Sequence, residues 1–211
     1  MNSLRRFFGI GSRSRARSYE SKEAVAIKLL AAKGDIRAKS LLGRMYFKGE
    51  CGVPQDYAEA ALWLFAASEA GDADAQGLLG MALEQGLGVS CDYAKAAELY
   101  AKAAAQGVDA AAYFLGKLFL EGKGVPKDST EAAKWFLKSA HAGNSGAQGI
   151  LIALYLYGEG LPENSEEAYF WALVADRAKY PPALQLATEI AATLSSEKRE
   201  EIKERARFWN P

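Results

Sequence analysis

The segment from Leu120 to Phe136, LEGKGVPKDSTEAAKWF, contains the residue types of a phosphate-binding loop: two glycines around a lysine, followed by Ser-Thr. A phosphate-binding loop needs the lysine directly before Ser or Thr, after a strand and before a helix. Here Lys123 is followed by Gly124, and an apolar helical pattern precedes the turn. The segment is therefore predicted to be a turn between two helices and not a nucleotide site.

The histidine and cysteine content limits metal and nucleophilic chemistry. His141 is the only histidine, and the only cysteines are Cys51 and Cys91. Structural zinc sites use four Cys or His ligands and catalytic sites usually three, so no metal and no cofactor are expected. A nucleophile pair would have to use His141, which precedes a glycine where a helix is predicted to end, so we expect a partly exposed histidine near a helix C-terminus. Sparse, unpatterned cysteines indicate free thiols and a reducing compartment.

The composition is typical of a soluble folded or repeat protein, with 50% hydrophobic and 25% charged residues among 211. The formal net charge is +0, which gives no reason to expect nucleic acid as the main partner of the folded part. No run approaches the roughly 18 apolar residues of a transmembrane helix. These features predict a cytoplasmic protein, with organelle targeting through the N-terminal arm as the alternative.

The N-terminal arm, residues 1–22, has six Lys or Arg residues against one Glu. Its apolar stretch is too short for a secretory signal. Three interpretations remain open: an organellar transit peptide, an arm that contacts an anionic membrane or nucleic acid through its arginines with Phe7 and Phe8, and a solvated flexible tail.

The chain contains four internal repeats, which begin at Ala38, Ala75, Ala111 and Ala147. The steps between these alanines are 37, 36 and 36 residues, and the odd step comes from one inserted residue in the turn at 49–52. A fixed period of this length is the sequence signature of repeat architectures.

Each repeat has the pattern of two helices, called here the first and the second helix. In the first helix, apolar residues recur at three- and four-residue intervals, which indicates one buried face. A Gly-x-Gly-Val-Pro turn ends it. The second helix is predicted to begin after an N-cap residue, which is Asp56, Asp92, Asp128 or Asn164. The recurring Gly43, Gly80 and Gly116 predict close approach of the paired helices.

The pattern A-x3-L-G-x2-Y/F-x2-G-x-G-V-P-x-D-Y-x-x-A-x2-W-x3-A resembles the Sel-one-like repeat family, a relative of tetratricopeptide repeats. The resemblance implies an all-α, right-handed α-α solenoid of tandem 36-residue helix-turn-helix repeats, and a role as an adaptor for protein complexes. The expected organisation is one solenoid domain over 23–211: an incomplete first repeat at 23–37, repeats at 38–74, 75–110, 111–146 and 147–182, and capping helices at 183–211. Disulfides of the kind found in cysteine-rich relatives are not expected.

If the repeats pack as in tetratricopeptide solenoids, the third, seventh, tenth and eleventh positions of each repeat point into a concave groove. The candidate partner-binding groove then contains Arg44, Phe47, Lys48, Met81, Glu84, Tyr113, Lys117, Leu120, Glu121, Leu156 and Tyr157. We expect the C-terminal half to anchor an apolar segment of a protein or peptide partner, while Arg44, Lys48 and Lys117 steer acidic groups. The alternative is that the third and tenth positions pack between repeats.

Two classes of function compete. The first is a non-catalytic interaction scaffold, and on this interpretation the chain is not an enzyme. The second is a small-ligand protein, for example one that recognises cell-wall fragments and is hydrolytic. That function would need polar groups clustered for chemistry, and the candidate carboxylates are Glu84 and Glu121.

Overall fold

The computed structural model describes residues 20–211, and all regular structure in this range is helical. Apart from residues 20–22, the interpretations of the N-terminal arm concern residues that lie outside this range. The described range contains eleven helices: α1 (Lys22–Ala32), α2 (Ile36–Lys48), α3 (Tyr57–Ser68), α4 (Ala73–Gln85), α5 (Tyr93–Ala105), α6 (Asp109–Glu121), α7 (Ser129–His141), α8 (Ser145–Tyr157), α9 (Ser165–Arg177), α10 (Ala183–Ala191) and α11 (Ser196–Phe208).

The chain divides into two compact units. Unit 1 ends at Val108, and unit 2 begins at Asp109. In unit 1, each helix from α1 to α5 packs against the next one along the chain. In unit 2, the helices from α6 to α10 pack in the same sequential way, and α11 returns to pack against α9. The first helices of the repeats are α2, α4, α6 and α8, and the second helices are α3, α5, α7 and α9.

The helix boundaries follow local sequence signals. The side chains of the four predicted N-cap residues, Asp56, Asp92, Asp128 and Asn164, accept hydrogen bonds from backbone N–H groups in the first turn of α3, α5, α7 and α9. Such caps each stabilise a helix by about 1 kcal/mol. In the segment GKGVPKD, Gly122 and Gly124 have φ values of 69° and 71°, in the left-handed region. The prediction of a turn at this segment is confirmed.

Glycines inside the first helices allow large side chains of the second helices to pack closely. A methyl group added at Gly43 would lie 2.7 Å from Cγ of Leu64, and one at Gly80 would lie 2.8 Å from the ring of Tyr100. Gly116 faces Phe136 in the same way, at 3.0 Å. The predicted close approach of the paired helices is therefore present, because each glycine leaves room for a buried side chain of its partner helix.

The last helix covers the end of unit 2 with one face and carries its charges on the other. Arg205 donates two hydrogen bonds to the carboxylate of Glu167, at 2.8 and 2.7 Å, and its guanidinium lies 3.8 Å from the ring centroid of Phe170. Ile202 and Ala206 are buried on the inner face of α11. A charged helix with only a narrow apolar face suits the end of a repeat array.

The side-chain oxygen of a buried glutamine accepts a hydrogen bond in one repeat but not in another, within the described residues. The Gln76 carbonyl oxygen accepts a hydrogen bond from Gln106 Nε2 at 2.9 Å. The equivalent oxygen of Gln148 is buried and has no hydrogen-bond partner among residues 20–211, and Ala178 occupies the position that corresponds to Gln106. The backbone angles match, at φ −89° and ψ 6° for Gln106 and φ −78° and ψ 5° for Ala178. The surroundings of Gln148 therefore differ from those of Gln76 in lacking a donor side chain at position 178.

We expect Ala178→Gln to raise the free energy of unfolding by about 1 kcal/mol, because it supplies a hydrogen bond to a buried acceptor. Urea unfolding followed by circular dichroism measures the change. The matched control is Ala142→Gln. Ala142 caps the C-terminus of α7 with φ −86° and ψ 7°, but that repeat has Ala112 at the position of Gln76 and Gln148. Equal changes in the free energy of unfolding for the two substitutions would contradict the expected hydrogen bond to the Gln148 oxygen.

Candidate partner-binding surface

The third positions of the first helices form junctions within each unit. Ser40 Oγ donates a hydrogen bond to Asp72 Oδ1 at 2.7 Å, and Ser40 is buried. A methyl group added at Gly149 would lie 2.6 Å from the ring of Tyr180. The Tyr113 ring is half-buried and lies close to the start of α8. These contacts favour the alternative in which the third position packs between repeats.

The tenth positions are covered to different degrees. Phe47 is 9% exposed, and its ring packs edge-to-face on Tyr57 with 5.2 Å between ring centroids. Its predicted place in the groove is corrected: the ring fills the space between the two helices of its own repeat. Leu120 and Leu156 are half-buried and pack against the core of unit 2. Only part of each leucine side chain is open to a partner.

The seventh and eleventh positions face outward. Arg44 and Lys48 are exposed on α2, and Lys48 lies 3.7 Å from a carboxylate oxygen of Glu50. Met81 on α4 is half-buried. In unit 2, Lys117 is half-buried, with Nζ 5.9 Å from the ring centroid of Phe114. The exposed eleventh positions of this unit are Glu121 and Tyr157.

Tyr157 is the most exposed large hydrophobic residue among those that the structure describes, at 80%. It ends α8, where Gly158 takes a left-handed conformation with φ 66°. Exposed aromatic groups beside half-buried aliphatic ones often mark protein-binding sites. Tyr157 and Leu156 therefore remain the best candidates for an apolar contact in unit 2.

The candidate carboxylates are engaged in contacts that stabilise the fold. Glu84 accepts a hydrogen bond from the Tyr100 hydroxyl at 2.7 Å, and Glu121 lies 2.7 Å from Lys123 Nζ. Across residues 20–211, no group of three or more His, Cys, Asp or Glu residues is placed to hold a metal ion. Each of the two carboxylates thus has a partner side chain within its own unit.

Burial against the glycine face of α4 raises the pKa of Tyr100, and the neighbouring Glu84 raises it further. The folded chain thus keeps Tyr100 neutral at a pH where an exposed tyrosine ionises, which is about 10. Because only the unfolded chain releases this proton near pH 10, the free energy of unfolding falls as the pH rises above that value.

Tyr100→Phe is expected to flatten the alkaline part of the stability profile. The wild type should lose up to about 1.4 kcal/mol more per pH unit above pH 10 than the variant. Urea unfolding between about pH 8 and pH 11 measures both profiles. The control is Tyr157→Phe, which removes an exposed hydroxyl and should leave the wild-type slope unchanged. Parallel profiles for wild type and Tyr100→Phe would contradict the prediction.

His141 and the cysteines lie where the sequence places them. His141 is the last residue of α7, is exposed, and contacts the ring of Trp171 edge-to-face at 5.3 Å. Cys51 and Cys91 are both free and exposed. The predicted terminal histidine and free thiols are therefore confirmed.

The repeats match a known family. The model of the Sel1 repeat matches residues 36–72, 73–108, 109–144 and 149–175, which together make up more than half of the chain. The chain belongs to the Sel1 repeat family. Proteins with Sel1 repeats are generally protein-interaction scaffolds and are typically non-catalytic. The predicted family and the all-α tandem-repeat solenoid class are confirmed.

Solved structures of Sel1 proteins resemble this chain. A protective antigen of uropathogenic Escherichia coli strains, with an SLR fold, is 31% identical, with a TM-score of 0.80 over 88% of this chain and 40% of its own. A Sel1 repeat protein from Oxalobacter formigenes is 33% identical, with a TM-score of 0.72 over 87% of this chain and 53% of its own. The present Sel1 chain therefore spans less than two thirds of either relative.

A more distant solved structure shares the fold, and the comparison with curated proteins found no match. A Sel1 repeat protein from Klebsiella pneumoniae is 23% identical, with a TM-score of 0.52 over 80% of this chain and 83% of its own, and is similar in fold alone. No curated protein matches the chain. Within residues 20–211, none of the helices of this Sel1 chain is long and apolar enough to cross a membrane.

Arg37 and Leu41 are also exposed on α2, beside the predicted Arg44 and Lys48, although the repeat positions alone do not predict them. The sequence does contain a signal for this surface, because α2 has four basic residues and no acidic residue. The third, seventh, tenth and eleventh positions come from the packing of tetratricopeptide solenoids. They apply equally to every repeat and therefore do not reflect a charge that is specific to α2.

Proposed function

We propose that this Sel1 chain is a non-catalytic scaffold that binds a protein or peptide segment on the outward-facing residues of its first helices. The observation that carries the proposal is the exposure of Tyr157 at the end of α8, next to the half-buried Leu156. Tyrosine is among the residues that contribute most to binding at protein interfaces. Leu156 packs against the core of unit 2 and so presents its exposed part from a fixed position.

Tyr157 is placed to contact a partner rather than its own chain. Within the part of the chain that the structure describes, the Tyr157 hydroxyl makes no hydrogen bond and its ring has no aromatic partner. A partner that covers the ring gains apolar contact area at little cost in side-chain entropy, because tyrosine has only two rotatable side-chain bonds. The proposed role of the α8 end is therefore that of an apolar anchor.

Two contacts support a binding role over a hydrolytic one. Glu84 is held by Tyr100, and Glu121 pairs with Lys123. A general acid and base pair in a hydrolase requires two carboxylates directed at one substrate position. We also propose a reducing compartment such as the cytoplasm, which the free, exposed Cys51 and Cys91 support.

A random-peptide display selection against the chain tests the proposed function. We expect enrichment of peptides that share apolar or aromatic positions, with dissociation constants of about 1–100 μM by fluorescence anisotropy. The selection needs no knowledge of the natural partner. Recovery of no shared sequence pattern, or of peptides that bind the heat-unfolded chain equally well, would overturn the proposal.

A further inference from the structure

The first helix of the first full repeat differs in charge from the other first helices. The sequence of α2, IRAKSLLGRMYFK, contains four basic residues and no acidic one. In contrast, α4 contains two acidic residues and no basic one, α6 contains two acidic residues and one basic one, and α8 contains no charged residue. The positive charge of α2 is therefore a property of this helix and not of the repeat pattern.

Three of the cations and one leucine form a single stripe on α2. Arg37, Leu41, Arg44 and Lys48 follow one another at steps of four, three and four residues, so they share one helix face. All four side chains are exposed, Leu41 at 38%. With a rise of about 1.5 Å per residue, the stripe is about 16 Å long. We call these four residues the α2 stripe.

The charges of the α2 stripe are not neutralised within the described chain. Arg37 and Arg44 form no ion pair with residues 20–211, and Lys48 has only the 3.7 Å contact with Glu50. Several lysines elsewhere have a carboxylate partner at close range. Lys134 lies 2.9 Å from Glu131, for example. A row of cations in which only Lys48 has a carboxylate neighbour favours a partner that brings negative charge.

We propose that the α2 stripe binds an acidic, amphipathic protein segment, in which carboxylates pair with Arg37, Arg44 and Lys48 and an apolar side chain between them covers Leu41. The proposal rests on the proposed scaffold function and names the partner chemistry for unit 1. Arginine pairs with carboxylates in a bidentate geometry, which gives orientation as well as attraction.

The observations favour a peptide over a nucleic acid or an anionic membrane. Leu41 lies within the row of cations, and a phosphate backbone has no apolar group to cover it. The neighbouring first helix α4 packs against α2 and has the exposed Asp74 at the position equivalent to Arg37. A polyanion wider than one helix would therefore meet a carboxylate beside the stripe, whereas a single peptide segment would not.

The test uses a fluorescent peptide of about twelve residues, in which glutamates at helical spacing flank a central leucine. Its affinity for the full chain is measured by anisotropy at low salt and again at about 0.3 M salt. We expect binding that weakens with salt, and that falls by about tenfold or more in the double variant Arg44→Glu with Lys48→Glu. Leu41→Ala should weaken binding by about threefold to tenfold, because it removes the apolar contact.

The matched control reverses two exposed lysines of equal spacing on α7, with Lys134→Glu and Lys138→Glu. This control should leave binding unchanged. Equal losses in both double variants, or an undiminished affinity after Leu41→Ala, would overturn the proposal. So would tighter binding of a single-stranded oligonucleotide or of phosphatidylglycerol vesicles through Arg44 and Lys48. Circular dichroism confirms that each variant is folded before it is compared.

Failure of the α2 stripe proposal can be distinguished from failure of the proposed scaffold function. If the display selection yields peptides whose binding depends on Tyr157 while the acidic peptide does not bind, the scaffold function stands and the α2 stripe assignment is wrong. If neither the selected peptides nor the acidic peptide binds, both are wrong.

Discussion

Replacing Gly88 by alanine should lower the free energy of unfolding by about 3–5 kcal/mol. Gly88 has φ 70°, a left-handed conformation that alanine adopts only with strain. A methyl group there would also overlap the backbone of Tyr57 and Ala58 at the start of α3. The start of α3 is held by its N-cap, Asp56, so the backbone has little freedom to move away.

The contact at Gly88 joins one repeat to the next. Gly88 lies in the turn of the second repeat, and Tyr57 begins the second helix of the first repeat. In unit 2, Gly160 makes the equivalent contact, where a methyl group would overlap the backbone of Ser129. The second glycine of the turn thus lets successive repeats stack, in addition to reversing the chain.

The matched control is Gly71→Ala in the same unit. Gly71 also has a positive φ, 89°, but a methyl group there would meet nothing within 4 Å. This substitution should cost only the conformational strain, about 1–2 kcal/mol. Urea unfolding of the two variants separates strain from overlap. Equal losses for Gly71→Ala and Gly88→Ala would show that the stacking contact contributes nothing.

Tyr157→Ala should weaken the binding of peptides selected by display by about 30-fold. This factor corresponds to a loss of about 2 kcal/mol in binding free energy, as expected for a residue that contributes strongly to an interface. The variant should keep its stability to within about 0.5 kcal/mol, since the side chain is 80% exposed. Fluorescence anisotropy measures the affinity. Leu156 is a less informative target, because it packs against the core of unit 2 and its replacement would also lower stability.

Phe208→Ala is the control for loss of an exposed aromatic group. Phe208 ends α11 in the same unit and is 75% exposed, but it lies on the terminal helix and not on a first helix. Its removal should leave peptide affinity unchanged. A loss at Phe208 that equals the loss at Tyr157 would indicate nonspecific adhesion of apolar peptides and would remove the support for an anchor on α8.

Features set by local sequence could be predicted. The N-caps at Asp56 and Asp128 form because each carboxylate accepts hydrogen bonds from backbone groups two or three residues away. The turn at Gly122 and Gly124 requires left-handed φ values that glycine adopts without strain. The 36-residue period reports the same local pattern four times, which is why the family and the helix pairs followed from the sequence.

Features set by contacts between distant residues could not be predicted. Phe47 and Tyr157 both follow the helical pattern of a first helix, but the structure buries the first against Tyr57 and leaves the second exposed. Ser40 occupies the third position of its repeat, which the spacing alone predicts to line a concave surface, and only its hydrogen bond to Asp72 shows that it lies at a junction. A position in the repeat therefore predicts the helix face but not the degree of exposure.

Amide hydrogen exchange of the full chain, with and without a peptide selected by display, tests the scaffold function most directly. We predict slower exchange in the last turn of α8, from Ala153 to Tyr157, and at the end of α6, with the second helices α7 and α9 unchanged. Protection confined to the second helices or to α11 would contradict the account, as would no change at saturating peptide, because the binding surface would then not lie on the first helices.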